Sequence, residues 1–161
     1  LILVPHEPTA AHLEQAEARL DALGLGHARL ATVLDGPAVP DVLIVDRVGV
    51  LGDLYAAADV AYVGGGFGTA GLHSVLEPAA FGIPVLFGPN HNNAREAGEL
   101  AARGAALVVS GGDVLRDALA GLVADADDRA RRGNLARAYV ESGIGAAERG
   151  AAIVEELLDQ R

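Results

Sequence analysis

Six short apolar runs, at residues 1–4, 28–34, 42–45, 60–63, 85–87 and 105–109, constrain the fold of this chain most. Apolar runs of this length, closed by glycine, proline or aspartate, are the pattern of strands buried on both faces. Helical spacing fills the gaps between them. Thr9 is placed to cap a helix through Leu13, Ala16 and Leu20, which Gly24 or Gly26 stops. Further helices are expected over 48–58, 75–81 and 93–103, with turns at Asp35-Gly36-Pro37 and Gly82-Ile83-Pro84. Beyond Gly111-Gly112 the pattern is helical throughout, over 114–124, 127–142 and 145–158. Strands alternating with helices predict a parallel sheet covered on both sides. With right-handed crossovers this is a doubly wound, Rossmann-like α/β fold of about six strands, whose ligands sit at the strands' carboxyl ends. No repeat or internal linker interrupts the pattern, so all 161 residues read as one domain.

Composition narrows the functions available. The formal net charge of −10 argues against a nucleic-acid backbone as partner, although local donors can still bind a small anion. The absence of cysteine excludes disulfides and thiolate metal sites. The five histidines include no H-x-x-x-H pair, and no G-x-S-x-G elbow suggests acyl chemistry. No apolar run reaches the roughly 18 residues of a membrane span, so the chain is expected to be soluble. It lacks methionine and opens directly in Leu1-Ile2-Leu3-Val4, which reads as a fragment cut from something larger.

The chemistry is expected at the end of the fourth strand, where Gly64-Gly65-Gly66-Phe67-Gly68-Thr69-Ala70-Gly71 leads into His73, Ser74 and Glu77. Bare backbone N–H groups beside a helix N-terminus form an anion site. Residues 66–71 match G-x-G-x-x-G, the dinucleotide fingerprint. That fingerprint belongs after a first strand and needs an acid about 20 residues on. Here the next strand ends in Gly88-Pro89-Asn90, so phosphate or sugar-nucleotide contact is favoured over nicotinamide. Glu77 fits a capping box with Ser74, or, restrained away from helical angles by Pro78, a contact to a ribose diol. His73 suits a phosphate or sugar hydroxyl, or a local bond that fixes the loop. His6 and Glu7 follow the first strand and either reach the ligand crevice or cap the helix near Thr9. Arg47, next to Gly49 after the third strand, is a guanidinium candidate for a phosphate or a surface arginine. Asn93 and Glu96 have N-cap and third-position spacing, with ligand contact as the alternative.

These residues resemble the C-terminal half of 3-deoxy-D-manno-octulosonic acid (Kdo) transferases. The similarity is carried by Pro5-His6-Glu7, by Val45-Asp46-x-Val48-Gly49-x-Leu51, and by Ala58-Asp59-Val60-Ala61-Tyr62-Val63-Gly64-Gly65. It continues in Gly71-x-His73-x-x-Leu76-Glu77-Pro78-Ala79, in Gly82-x-Pro84-Val85-Leu86-Phe87-Gly88-Pro89 and in Asn93-x-x-Glu96. The resemblance implies the C-terminal, donor-binding half of a GT-B glycosyltransferase, with Glu77 on the ribose and the glycine loop along phosphate and sugar. It implies CMP-Kdo as donor, a lipid A precursor as acceptor, inversion at the sugar, and neither metal nor cofactor. The catalytic carboxylate, the acceptor site and the membrane contact would lie in an N-terminal half absent here. The whole enzyme would then work at the cytoplasmic face of the bacterial inner membrane in lipopolysaccharide synthesis, and the isolated fragment would be inactive. The chain departs from the family at Gly66, Leu72, Ser74 and Val50, where serine, glycine, asparagine and glutamate are usual, and at Asn90 and Ala94, where histidine and phenylalanine are. A GT-B domain for another nucleotide sugar, an NAD(P)-binding domain, and a non-catalytic assembly domain are the alternatives.

Overall fold

A computed structural model describes residues 1–33, 40–69 and 71–159, without the side chains of 146–148. The chain divides into two compact units, Leu1–Leu54 and Tyr55–Arg161.

The first unit contains strands β1 (Ile2–Leu3), β2 (His27–Arg29) and β3 (Val42–Ile44), paired in parallel in the order β1-β3-β2. Helix α1 (Ala10–Ala22) lays Leu13 and Leu20 against Val42, Ile44 and Leu3. Its ends form as expected. The Thr9 hydroxyl accepts the His12 N–H at 3.3 Å. At the other end Gly24 takes φ +67°, Leu25 N–H reaches Leu20 C=O at 3.0 Å and Gly24 N–H reaches Asp21 C=O at 3.0 Å. This paired closure needs a left-handed residue, which glycine adopts without steric cost.

The expected strand over 28–34 is corrected. It ends at Arg29, and α2 (Leu30–Val33) makes a helical turn. Asp46 Oδ1 accepts the Ala31 N–H at 3.3 Å, and Thr32 Oγ1 donates to Arg29 C=O at 2.8 Å. Both bonds lie at the start of the turn, a result that apolar periodicity alone cannot foresee. Residue 34 and the turn at Asp35-Gly36-Pro37 lie outside the described residues. The helix expected over 48–58 shortens to α3 (Leu51–Tyr55), because Gly49 takes φ +85° just before it.

The second unit pairs β4 (Ala61–Val63), β5 (Val85–Phe87) and β6 (Ala106–Val108) in parallel, in that order, with Ala61, Val85 and Ala106 in register. Successive side chains of a strand point to opposite faces. Val85 and Phe87 accordingly meet Ala79 of α4 (Leu76–Ala80), Ala97 and Leu100 of α5 (Arg95–Ala102), and Ala136 of α7 (Ala126–Gly143). Leu86, between them, meets Leu122 of α6 (Gly112–Ala124). Helices thus cover both faces, as the apolar runs require. The last helix, α8 (Ala146–Asp159), leaves Ile153, Val154, Leu157 and Leu158 exposed.

Helix α7 holds this layer together with three arginines. Arg137 Nη2 donates to Phe81 C=O at 2.7 Å, Arg132 Nη1 to Gly104 C=O at 3.0 Å, and Arg129 Nη1 to Leu122 C=O at 2.7 Å. Each carbonyl lies at or near the end of α4, α5 or α6, where intrahelical donors have run out.

Candidate functional site

In the first unit β1 and β3 are neighbours, so the segments after them leave the sheet at one carboxyl edge. His6, Glu7, Arg47 and Gly49 all lie there, and all are exposed. The Glu7 carbonyl accepts from Thr9 N–H at 2.8 Å and bonds His12 Nδ1 at 2.8 Å, which fixes the entry into α1. Its carboxylate takes no part in those bonds. Arg47 Nε stands 3.9 Å from Asp46 Oδ1, a weak pairing in water.

The second unit builds a site from backbone. After β4 the chain folds back on itself: Gly65 takes φ +94°, and a Cβ on it would lie 2.1 Å from Gly71 C=O. Gly66 then crosses the loop that follows β5. A Cβ on Gly66 would stand 2.6 Å from the Gly88 nitrogen, and one on Gly88 would stand 2.4 Å from the Gly66 oxygen. Two bare backbones meet here, and Asn90 N–H donates to Gly66 C=O at 2.9 Å across the contact. Asn90 Nδ2 reaches Gly68 C=O at 3.3 Å, and His73 N–H returns to Gly64 C=O at 3.2 Å. Together they border an open recess of about 350 Å³ lined by Gly68, Thr69, Gly71, Asn90, Asn92 and Asn93. Its lining is uncharged and polar, suited to hydrogen-bonding an anion or a sugar without an opposing charge.

Two expectations about helix starts are corrected. Asn93 does not cap α5. The first position outside that helix is Ala94, with no side-chain cap, and Asn93 instead bonds the backbone of Leu72. Nor do Ser74 and Glu77 form a capping box, because the N-cap of α4 is Val75, also without a side-chain bond. Glu77 lies within the helix, in its first turn, although Pro78 follows it. Pro78 occupies the third helical position, whose nitrogen has no intrahelical acceptor, so its missing N–H removes no bond. Helix α4 has only five residues, so few peptide dipoles align and the loop amides carry most of any anion attraction.

The side chains of His73, Ser74 and Glu77 are exposed beyond the loop. Tyr55, which sequence reading did not single out, belongs beside Glu77. Burial raises its phenol pKa first and the charge of Glu77 raises it further, while its ring meets Phe81 at 5.9 Å. Its signals in the sequence are the helical spacing of Leu51, Leu54 and Tyr55 and the Leu54-Tyr55 pair that follows Leu51 in the family resemblance. Thr69, Asn90 and Asn92 were also missed as lining, since polar loop residues read as turn formers. Glu96 is not in the recess. It lines a separate groove of about 630 Å³ with Leu76, Glu99, Arg103 and Tyr139. There Glu99 is held below its ordinary pKa by hydrogen bonds from Arg95 and then Tyr139, and Arg103 lies 5.0 Å over the Tyr139 ring. Among the described residues no three His, Asp or Glu side chains cluster closely enough to hold a metal ion.

No protein-family model matches the chain. The 3-deoxy-D-manno-octulosonic acid transferase of Bordetella pertussis is 35% identical over 161 residues, covering 98% of this chain and 37% of that protein. The enzyme of the same name from Rickettsia typhi is 29% identical over 163 residues, 98% of this chain and 33% of its own. That from Aquifex aeolicus is 51% identical over 49 residues, 30% of this chain and 14% of its own. The chain therefore spans little more than a third of the first of these relatives. Among solved structures, the C-terminal CMP-Kdo binding domain of WaaA from Acinetobacter baumannii has a TM-score of 0.76 at 23% identity, covering 86% of this chain and 72% of that one. The α/β fold expected from the apolar runs is thus the fold observed, and the family resemblance is borne out by the relatives matched.

Proposed function

We propose that this chain, related to the Kdo transferases, is the donor-binding domain of such an enzyme. The observation that carries the reading is the uncharged glycine–asparagine recess at the carboxyl edge of a parallel sheet, built by the loop that leads on to exposed His73, Ser74 and Glu77. Ligands of open α/β sheets sit at that edge. In the proposed reaction CMP-Kdo loses CMP as an acceptor hydroxyl attacks the anomeric carbon from the opposite face. Negative charge grows on the departing phosphate, where fixed N–H donors stabilise it. We assign the phosphate and sugar to the loop of Gly64, Gly65 and Gly66 with His73 and Ser74, and the ribose diol to the Glu77 carboxylate. Asn93 lines the recess, Glu96 is left to its separate groove, and His6, Glu7, Arg47 and Gly49 of the first unit are further candidates for ligand contact, each to be tested singly.

The proposal extends to the whole protein. A lipid A precursor accepts the sugar, and the base that deprotonates its hydroxyl and the membrane contact belong to the remaining length. The reaction needs no metal or cofactor, takes place at the cytoplasmic face of the bacterial inner membrane, and does not occur on this domain alone. Among the described residues no helix is long and apolar enough to cross a membrane.

The test is a thermal-shift titration with CMP. A ligand at 100 times its Kd stabilises the folded state by about 2.7 kcal/mol, a readily measured rise in Tm. Glu77→Ala should abolish that rise. Equal shifts in wild type and variant would remove Glu77 from the site, and a shift with NAD(H) in place of CMP would favour the dinucleotide reading.

A further inference from the structure

Asn93 stands one residue before Ala94, the N-cap of α5, and its amide serves another part of the chain. Leu72 N–H donates to Asn93 Oδ1 at 3.1 Å, and Asn93 Nδ2 donates to Leu72 C=O at 3.3 Å. One side chain thus satisfies both polar groups of a single backbone residue 21 positions away. The pairing copies a strand contact and fixes Leu72 in position and orientation at once. Leu72 is the residue just before His73, and its side chain is 7% exposed within the core that also holds Val75.

The neighbouring backbone is shaped around this amide. Gly71 takes φ +92°, and a Cβ on it would lie 2.7 Å from Asn93 Nδ2. Gly65, at φ +94°, approaches the Gly71 carbonyl so closely that a Cβ there would stand 2.1 Å from its oxygen. Glycine loop, Leu72 and Asn93 therefore form one chain of contacts, and His73 N–H closes it onto Gly64 C=O at 3.2 Å.

We infer that Asn93 is a positioning residue: its amide clamps Leu72 and so presets the His73–Glu77 segment for the ligand. The inference rests on the donor-site reading for what is bound, and replaces direct ligand contact as the main role of Asn93. A site populated only part of the time in its competent form binds more weakly by that fraction. Releasing the clamp so that about one molecule in ten is competent weakens binding about tenfold. Asn93→Asp divides the clamp. The carboxylate keeps the acceptor for Leu72 N–H, but sets a second oxygen against Leu72 C=O. Protonation restores the donor.

The experiment is calorimetric CMP titration of wild type, Asn93→Ala and Asn93→Asp across the carboxylate pH range, with amide hydrogen exchange on the ligand-free proteins. The alanine variant should bind about tenfold more weakly and lose protection at the Leu72 and His73 amides, with α5 and the strands still protected. The aspartate variant should bind weakly at neutral pH and regain affinity relative to wild type as pH falls. A mere loss of stability would not produce that pH-dependent rescue. Unchanged affinity in the alanine variant, or a wild-type-to-aspartate ratio independent of pH, would overturn the inference. Wild type that takes no CMP would refute the donor reading alone, and the clamp would then stand or fall on protection of Leu72.

Discussion

Two helical glycines answer the same substitution with opposite signs, and the difference tests the packing that supports Glu77. Alanine is favoured over glycine in a helix interior by about 0.8–1.0 kcal/mol. At Gly121, exposed in α6, a Cβ would meet nothing within 4 Å. Gly121→Ala should therefore raise stability by nearly that amount, or Tm by about 2–4 °C for a chain of this size. At Gly133, buried in α7, a Cβ would lie 2.0 Å from the Gly82 oxygen and 2.8 Å from its carbonyl carbon. The obstacle is backbone, so no side chain can swing away, and α7 has to retreat from the end of α4. Overpacking costs about 1–3 kcal/mol. Retreat also stretches the 2.7 Å bond from Arg137 to Phe81 C=O, a contact of about 1 kcal/mol. Set against the propensity gain, Gly133→Ala should lose about 2 kcal/mol net, lowering Tm by about 4–8 °C. Calorimetric or circular-dichroism melts of both variants check it. The CMP-induced shift should shrink only in the Gly133 variant, because α4 carries Glu77. A Gly133→Ala protein melting at or above wild type would refute the close seating of α7 on Gly82.

Other predictions follow from the charges. The Glu17 carboxyl is held below its ordinary value, first by hydrogen bonds from Arg29, whose Nε and Nη2 each approach it at 2.7 Å. With the folded pKa below the unfolded one, the stabilisation is full above the unfolded value of about 4.5 and is lost as pH falls through the folded one. Denaturant midpoints should therefore fall further on acidification in wild type than in Glu17→Gln, and equal losses would refute the pairing. A phosphate held by neutral donors in a chain of net charge −10 is repelled, not attracted, at long range. Added salt screens that repulsion, so CMP affinity should stay level or rise with ionic strength. A steep fall would mean that a cation such as Arg47 carries the phosphate.

The fold was legible in the sequence because it rests on local signals that agree. Apolar runs such as Val85–Phe87 are buried on both faces whatever packs against them, and Thr9 and Gly24 end α1 by bonds to near neighbours. Reading failed where a distant residue decides. Leu30–Val33 looks like strand until Asp46, from beyond the next strand, bonds its N–H. Asn93 looks like a cap until Leu72 claims its amide. Gly66 and Gly88 look like two unrelated flexible positions, but each is required by the other's backbone. The candidate site was legible in its residues and not in its geometry. Its glycines and Glu77 could be named, whereas the shape of the recess depends on contacts between loops about 20 residues apart.

That geometry also separates the two departures from the family pattern that flank His73. Leu72 turns its side chain into the core beside Val63 and Val75, and gives only its backbone to Asn93. A larger side chain at this position changes how the core is filled and leaves both clamp bonds available. Ser74 is exposed and does not cap α4, whose N-cap is Val75. A hydroxyl there reaches less far than an asparagine amide and offers one donor instead of two. On the donor reading, then, any difference in sugar preference introduced by these two positions belongs to Ser74, while Leu72 preserves the frame that presents it.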